Sequence, residues 1–194
     1  MSLLLDLLSQ FRQIPDHRPW PRVTVDEAAW RAASEHLAAN RWALLGLWGD
    51  EAAVHAAVSE GDDMAVLSLD CTAGAFPSLG RDHAPAIRLE RAIRDLWGLE
   101  PHGLSDRRPW LDHGRWDGRP EVDGSPAAHA AEYPFLPAEG ESLHEIPVGP
   151  VHAGIIEPGH FRFSASGETV VRLEARLGYV HKGIEGLMTG ATLT

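Results

Sequence analysis

The chain has 194 residues, 44% of them apolar, which is long enough for one or two domains with a core of their own. A formal charge of −11 argues against nucleic acid as a partner, and no apolar run approaches the ~20 residues of a membrane-spanning helix. Cys71 is the single cysteine, so an internal disulfide and a Cys-x-x-Cys metal or iron–sulfur site are both excluded within these residues, and a cytoplasmic location fits.

The first element expected is a short amphipathic helix at Leu3-Leu4-Leu5-Asp6-Leu7-Leu8, stopped by the coil around Pro15, Pro19 and Pro21. Thr24-Val25-Asp26-Glu27 reads as a capping box, with the Thr24 hydroxyl as N-cap of a helix from about Asp26 to Ala39. Arg41–Trp48 has the length and apolarity of a buried strand, and Gly49-Asp50 is a turn signal. Glu51–Ser59 permits helix or strand. Met64–Cys71 reads as a strand after Gly61-Asp62-Asp63, and the two intervening turns favour an antiparallel meander. Phe76-Pro77-Ser78-Leu79 is expected to begin a loop. A helix from about Ala84 to Trp97 should follow, with Pro85 in its first turn and Gly98 as C-cap.

From Leu99 to Leu143 the abundance of Gly, Pro, Asp and His makes regular structure improbable, and a mobile stretch is expected around Asp117–Ala130. Tyr133-Pro134-Phe135-Leu136-Pro137 reads as a junction. Beyond it, Ile146–Phe163, the Ser166-Gly167-Glu168 turn and Val170–Val180 read as a β-hairpin region. Lys182–Leu193 looks like the start of a helix. The expected fold class is α+β: a mixed or antiparallel sheet with flanking helices over residues 1–137, then a β-hairpin-rich segment over 138–194.

Two stretches resemble known families. Glu90-Arg91-Ala92-Ile93-Arg94-Asp95-Leu96-Trp97-Gly98, with Asp106-Arg107-Arg108 following, resembles the signature of the C-type subunit family of NADH:quinone oxidoreductase (complex I). Read by themselves, these residues suit interaction. Glu90, Arg91, Arg94 and Asp95 lie at helical neighbour spacings for ion pairs, and Arg107 and Arg108 can clamp backbone carbonyls or a partner carboxylate. An ordinary solvated charge cluster is the competing reading.

The second stretch is Gly149-Pro150-Val151-His152, Glu157-Pro158-Gly159 and His181-Lys182-Gly183-Ile184-Glu185. It resembles the start of the large subunit of formate-hydrogenlyase-type nickel–iron hydrogenases and its relative in complex I, the D-type subunit. Both features in one chain, in this order, resemble the fused large subunits of energy-converting hydrogenases. The resemblance implies a part that is not catalytic alone. It would dock an iron–sulfur small subunit (like the B-type subunit of complex I), meet the helical bundle of the large subunit, and supply one wall of a nickel–iron or quinone site. His152 would be an active-site loop histidine and Glu157 a proton relay, provided burial raises its pKa. Partner docking would use Glu90, Arg91, Arg94, Asp95, Arg107, Arg108, His181, Lys182 and Glu185. The second histidine of the quinone-site pair is replaced by Ile156.

No metal or cofactor is expected in this chain, because the metal-binding Cys-x-x-Cys pairs of the family are absent. Nickel–iron, iron–sulfur or quinone would belong to the complete complex, peripheral to the inner membrane through its partners. There is no NAD-binding fingerprint. A hairpin lacking its bundle is expected to pack on its own first domain or to pair between chains. A standalone binding or assembly module remains the alternative.

Overall fold

The computed structural model describes residues 2–114, 133–188 and 190–192. The expectation of a mobile stretch around Asp117–Ala130 therefore lies outside the described residues. Two compact units divide the rest, one running to Pro109 and the other formed by residues 110–114 and those from Tyr133 onward.

In the first unit the order is α1 (Leu3–Ser9), β1 (Arg22–Val25), α2 (Glu27–Ala38), β2 (Ala43–Gly49), β3 (Ala53–Glu60), β4 (Asp63–Asp70), β5 (Ala75–Pro77), a 3₁₀ turn (Ala84–Ala86), α3 (Ile87–Trp97) and β6 (Glu100–His102). The expected meander is there, with β2, β3 and β4 pairing antiparallel. β1 adds to the outer edge of β4 in parallel, giving the sheet order β1-β4-β3-β2.

Two expectations are corrected here. Thr24 is not a helix cap: it sits in β1, paired with Ser68. Asp26 is the N-cap, its carboxylate accepting the Ala29 amide at 2.8 Å. Phe76-Pro77 is not loop but strand, pairing in parallel with Pro101-His102.

The core gathers on the sheet. Leu4, Val23, Trp30, Leu37, Val54, Val58 and Leu67 are fully buried, each contributing on the order of 2 kcal/mol. α1 is tied to the β3–β4 hairpin by the Glu60 carboxylate, which accepts the Leu4 amide, and by the Ser2 hydroxyl, which donates to Asp63. Trp30 donates its indole N–H to the Pro77 carbonyl at 2.9 Å, locking α2 to β5. Gly49 lets α3 approach β2, since a Cβ there would stand 3.0 Å from both Ile93 and Trp97. Gly98 closes α3 at φ 71°. Cys71 packs as a small apolar residue, as expected.

The second unit is a three-stranded antiparallel sheet in the order β7-β8-β9, from Leu143–Val148, His160–Ser166 and Thr169–Arg176, with a short α4 at Ile184–Met188. Gly167 makes the expected turn between β8 and β9 at φ 58°. The α+β expectation is met by the two units together. Among the described residues no helix is long and apolar enough to cross a membrane.

Candidate functional site

In the first unit the charged residues of α3 meet the chain that follows β6. Glu90, expected among the docking residues, is fully buried beneath the Ser78–Gly80 loop. Its carboxylate accepts the Ser78 hydroxyl at 2.6 Å and the Leu79 and Gly80 amides at 2.6 and 3.2 Å. Burial pushes this carboxyl above its ordinary range, and the three donors only partly offset that. Arg91 is buried too. It donates to the carbonyls of Arg108 and Pro109 and to Asp106 Oδ2.

Arg94 pairs with Glu100 at 3.0 Å and donates to the Arg107 carbonyl, while Arg107 pairs with Glu100 from the other side. Arg108 forks onto both oxygens of Asp106. Burial pushes the Asp106 carboxyl up, but the Arg108 fork, the Arg108 amide and the charge of Arg91 outweigh it and hold the group below the usual range. Asp95 is buried within the same helix. Among the described residues Arg91 and Arg94 thus clamp backbone carbonyls, while Arg108 forks a carboxylate of its own chain. Of this set, Arg107 carries its side chain farthest into solvent, at 51% exposure.

The sequence reading passed over Glu100 as a hub. Its signal was charge: an acid placed three residues after Trp97, within reach of Arg94 and the two arginines downstream.

In the second unit, His152 and Glu157 share the loop between β7 and β8. The loop's neck is built from glycine. Gly149 has φ 79°, and a Cβ there would overlap the Gly159 carbonyl oxygen. His160 secures the neck, its Nδ1 lying 3.1 Å from the Gly149 carbonyl and its ring 5.4 Å from Phe135. Above the neck Val151 and Ile155 are wholly exposed, and Glu157 is exposed. The His152 Nδ1 accepts the Gly154 amide at 3.0 Å, which fixes the proton on Nε2, a buried atom with no partner among the described residues. His181 Nδ1 likewise accepts the Gly183 amide, ahead of α4, and Lys182 is exposed.

We expect Gly149→Ala to cost at least ~1–2 kcal/mol from backbone conformation alone, before the overlap with Gly159 is counted. Amide shifts in a ¹H–¹⁵N spectrum should move throughout 149–160. A loop spectrum matching the parent would refute this account of the neck.

The β7–β8–β9 sheet has two unlike faces. On one, Pro147, Arg162 and Glu174 align across the strands, as do Glu145, Ser164 and Arg172. The segment before β7 covers this side. Leu136 gives its amide to Glu174 and receives a bond from Arg162, whose guanidinium lies 4.7 Å from the Phe135 ring centroid. On the other face, Ile146, Phe163 and Leu173 form one row and Val148, Phe161 and Ala175 the next. Ile146, Val148 and Leu173 are exposed.

These residues do not fit a nickel–iron centre. Cys71 is buried in the first unit's core, where burial pushes its thiol up to about 11, so it is held protonated. Among the described residues no group of three or more His, Cys, Asp or Glu is placed to hold a metal ion. An open cleft of about 540 Å³ beside Arg41, Trp42 and His83 contains none of the expected site residues.

With this geometry in view, the chain is homologous to the N-terminal region of hydrogenase large subunits. It is 36% identical over 129 residues to hydrogenase-4 component G of Escherichia coli K12 and 32% identical over 132 residues to formate hydrogenlyase subunit 5 of the same organism. These matches cover 61% and 62% of this chain but 23% of each relative, so the chain spans about a quarter of their length. Carbon monoxide-induced hydrogenase of Rhodospirillum rubrum matches at 48% identity over 48 residues, which is 25% of this chain and 13% of that one. Among solved structures, a trypsin-resistant fragment of Nqo5 aligns with a TM-score of 0.43 at 16% identity, covering 54% of this chain and 96% of the fragment. A membrane-bound sulfane sulfur reductase, an archaeal respiratory membrane complex, aligns at 0.37 and 12% identity, covering 52% and 69%. No protein-family model matches the chain.

Proposed function

We propose that this chain is the docking and site-wall portion of an energy-converting hydrogenase or complex I-like large subunit, without redox catalysis of its own. The homology to hydrogenase-4 component G carries the reading. In it, residues 1–137 act as the part akin to the C-type subunit of complex I, and 138–194 as the opening of the part akin to its D-type subunit. Arg94, Arg107 and Arg108 offer a braced cationic surface to an iron–sulfur small subunit, with Arg91 and Asp95 supporting it from inside. His181, Lys182 and Glu185 serve the same docking from the second unit. The loop of His152 and Glu157 forms one wall of a nickel–iron or quinone site. Glu157 becomes a proton relay only when a partner buries it. The complex lies at the cytoplasmic side of the membrane, held there by its other subunits.

The bare apolar face of the second unit is the part expected to meet the helical bundle of the large subunit. Burying each of its side chains is worth on the order of 1–2 kcal/mol. The test is Leu173→Asp. The side chain is 53% exposed, so the variant alone should unfold within ~0.5 kcal/mol of the parent. Mixed with the remainder of a homologous large subunit and its iron–sulfur partner, it should bind about 100-fold more weakly, because an unpaired carboxylate enters an apolar interface. Assembly measured by sedimentation decides the matter. Equal binding by variant and parent, or homodimers of the parent that persist in the presence of those subunits, would overturn the assignment.

A further inference from the structure

Away from both sites, a polar cluster lies inside the first unit's sheet with no part in what has been described. His55 on β3 is 2% exposed. Its Nε2 lies 3.0 Å from Asp50 Oδ2. Its Nδ1 lies 3.0 Å from the Ser68 hydroxyl oxygen on β4 and 3.2 Å from Arg22 Nη2 on β1. Arg22 Nε also donates to that hydroxyl oxygen at 2.8 Å. The chemistry selects one tautomer. A guanidinium has only donors, so the ring nitrogen facing it must offer a lone pair. Nδ1 is therefore bare, and Nε2 carries the proton given to Asp50.

We propose that Arg22, His55, Ser68 and Asp50 form a buried proton-sensing site, in which a proton taken from solvent at His55 Nδ1 is set against the Arg22 guanidinium and loosens β1 from β4. β1 is open to this because it is a four-residue strand paired in parallel with β4 on one side, and on the other it is held, among the described residues, by the single Gln13–Val23 bridge with the Ile14 amide donating to the Arg22 carbonyl. Arg22 is thus both a member of the strand that would move and the group that senses the charge.

The groups around the ring pull in both directions. Burial disfavours the imidazolium most, and the charges of Arg22 and of His17, in the coil before β1, add to that. The hydrogen bond and charge of Asp50 oppose them, and the balance lies below an ordinary histidine. The Trp48 ring, 5.4 Å from the imidazole, adds bulk rather than charge. Asp50 is half exposed, so solvent screens its pull. The sign follows: a histidine whose pKa is depressed by folding stabilises the fold fully above its unfolded value near 6.5. That stability is lost as pH falls through the folded value.

The test uses the full chain, its His55 ring signals assigned by contact with Trp48 and followed by ¹⁵N NMR from pH 8 to 5. The expected result is an Nε2–H imidazole at pH 8 with a midpoint below that of an exposed histidine. Arg22→Gln, which removes the opposing charge, should move the midpoint up, and Asp50→Asn should move it down. The Val66 amide, bonded to the Pro21 carbonyl beside β1, reports the strand. Its exchange, corrected for intrinsic chemistry, should quicken by up to about tenfold for each pH unit as pH falls from the open-state value near 6.5 toward the folded midpoint, and should level off below that midpoint. An Nδ1–H tautomer, a midpoint indifferent to Arg22→Gln, or Val66 exchange that follows intrinsic chemistry alone would each overturn the proposal. The tautomer and exchange measurements on the parent decide it even where a variant does not fold.

Discussion

Glu90→Ala is expected to destabilise the first unit by about 3–5 kcal/mol, with a melting temperature lowered by more than ~10 °C. Glu90 is fully buried, and three donors end on its two oxygens. Alanine leaves the Ser78 hydroxyl and the Leu79 and Gly80 amides without that acceptor, at ~1–3 kcal/mol for each group that finds no other. The damage should spread along the chain, because the same loop carries β5, and β5 receives the Trp30 indole. Gly80 shows how closely the loop is fitted: a Cβ there would stand 2.9 Å from a Glu90 oxygen and 3.1 Å from the Ile87 backbone.

Glu90→Gln separates charge from shape. The amide oxygen keeps the two backbone bonds and the amide nitrogen can donate to the Ser78 oxygen, so a loss of only ~1 kcal/mol is expected. The pH dependence gives a second readout. Burial raises the Glu90 carboxyl, so its contribution is fully present below the unfolded value near 4.3 and declines as pH rises through the folded value. The glutamine variant should lack that decline. Urea melts at several pH values decide the point, and equal destabilisation by alanine and glutamine would sink the account.

Glu90 also marks where the sequence stopped being informative. Helix α3 was legible because its apolar positions recur at helical spacing and Gly98 ends it, and the β2–β3–β4 meander because two turn signals separate strand-length runs. Nothing local distinguishes Glu90 from a solvated helix acid. Its burial depends on the Ser78–Gly80 loop, ten residues earlier, folding over it. β1 escaped notice for a related reason: four residues are too few for a period, and its pairing with β4 spans more than forty positions of chain. Thr24 and Asp26 both satisfy the composition of a cap, and only the strand pairing of Thr24 decides between them. β5 and β6 are three residues each, and each contains a proline, which in isolation argues against a strand.

In the candidate site the residue types were legible but their partners were not. The arginines of α3 sit at spacings that suggest pairing along the helix, yet Arg91 and Arg94 reach across to the segment after β6. A loop without regular structure has no period to fix its register, so no pattern could have named the Arg108 and Pro109 carbonyls. The second unit was read better. A hairpin region turning at Ser166-Gly167-Glu168 was expected and is found as β8 and β9, although nothing in the sequence said that residues 133–136 would cover one of its faces.

Arg91→Lys is expected to be almost as damaging as Arg91→Ala, and this pair is the sharpest test of how the charged lattice holds. Truncation to alanine removes one partner of a buried ion pair and frees the Arg108 and Pro109 carbonyls, which should cost about 3–5 kcal/mol. Lysine restores the charge. It does not restore three donors diverging in one plane toward two carbonyls and a carboxylate, and a compact ammonium on a flexible stem can satisfy one or two of them at most. A loss of more than ~2 kcal/mol is therefore expected for lysine as well. Hydrogen exchange should quicken through residues 100–109, while β2–β4 stay protected.

Acid provides an independent check. Asp106 is held below the usual carboxylate range, so its contribution is present above the unfolded value near 3.9 and is lost as pH falls through the folded value. Removing Arg91 should shrink that acid-side loss. Arg107→Ala is the contrasting variant: its side chain is half exposed, so stability should change by under ~1 kcal/mol while affinity for an iron–sulfur partner falls. If Arg91→Lys melts with the parent, the segment after β6 is held by charge alone and the carbonyl clamp is incidental. If it melts with alanine, the geometry of the guanidinium is what shapes the surface that Arg107 and Arg108 present.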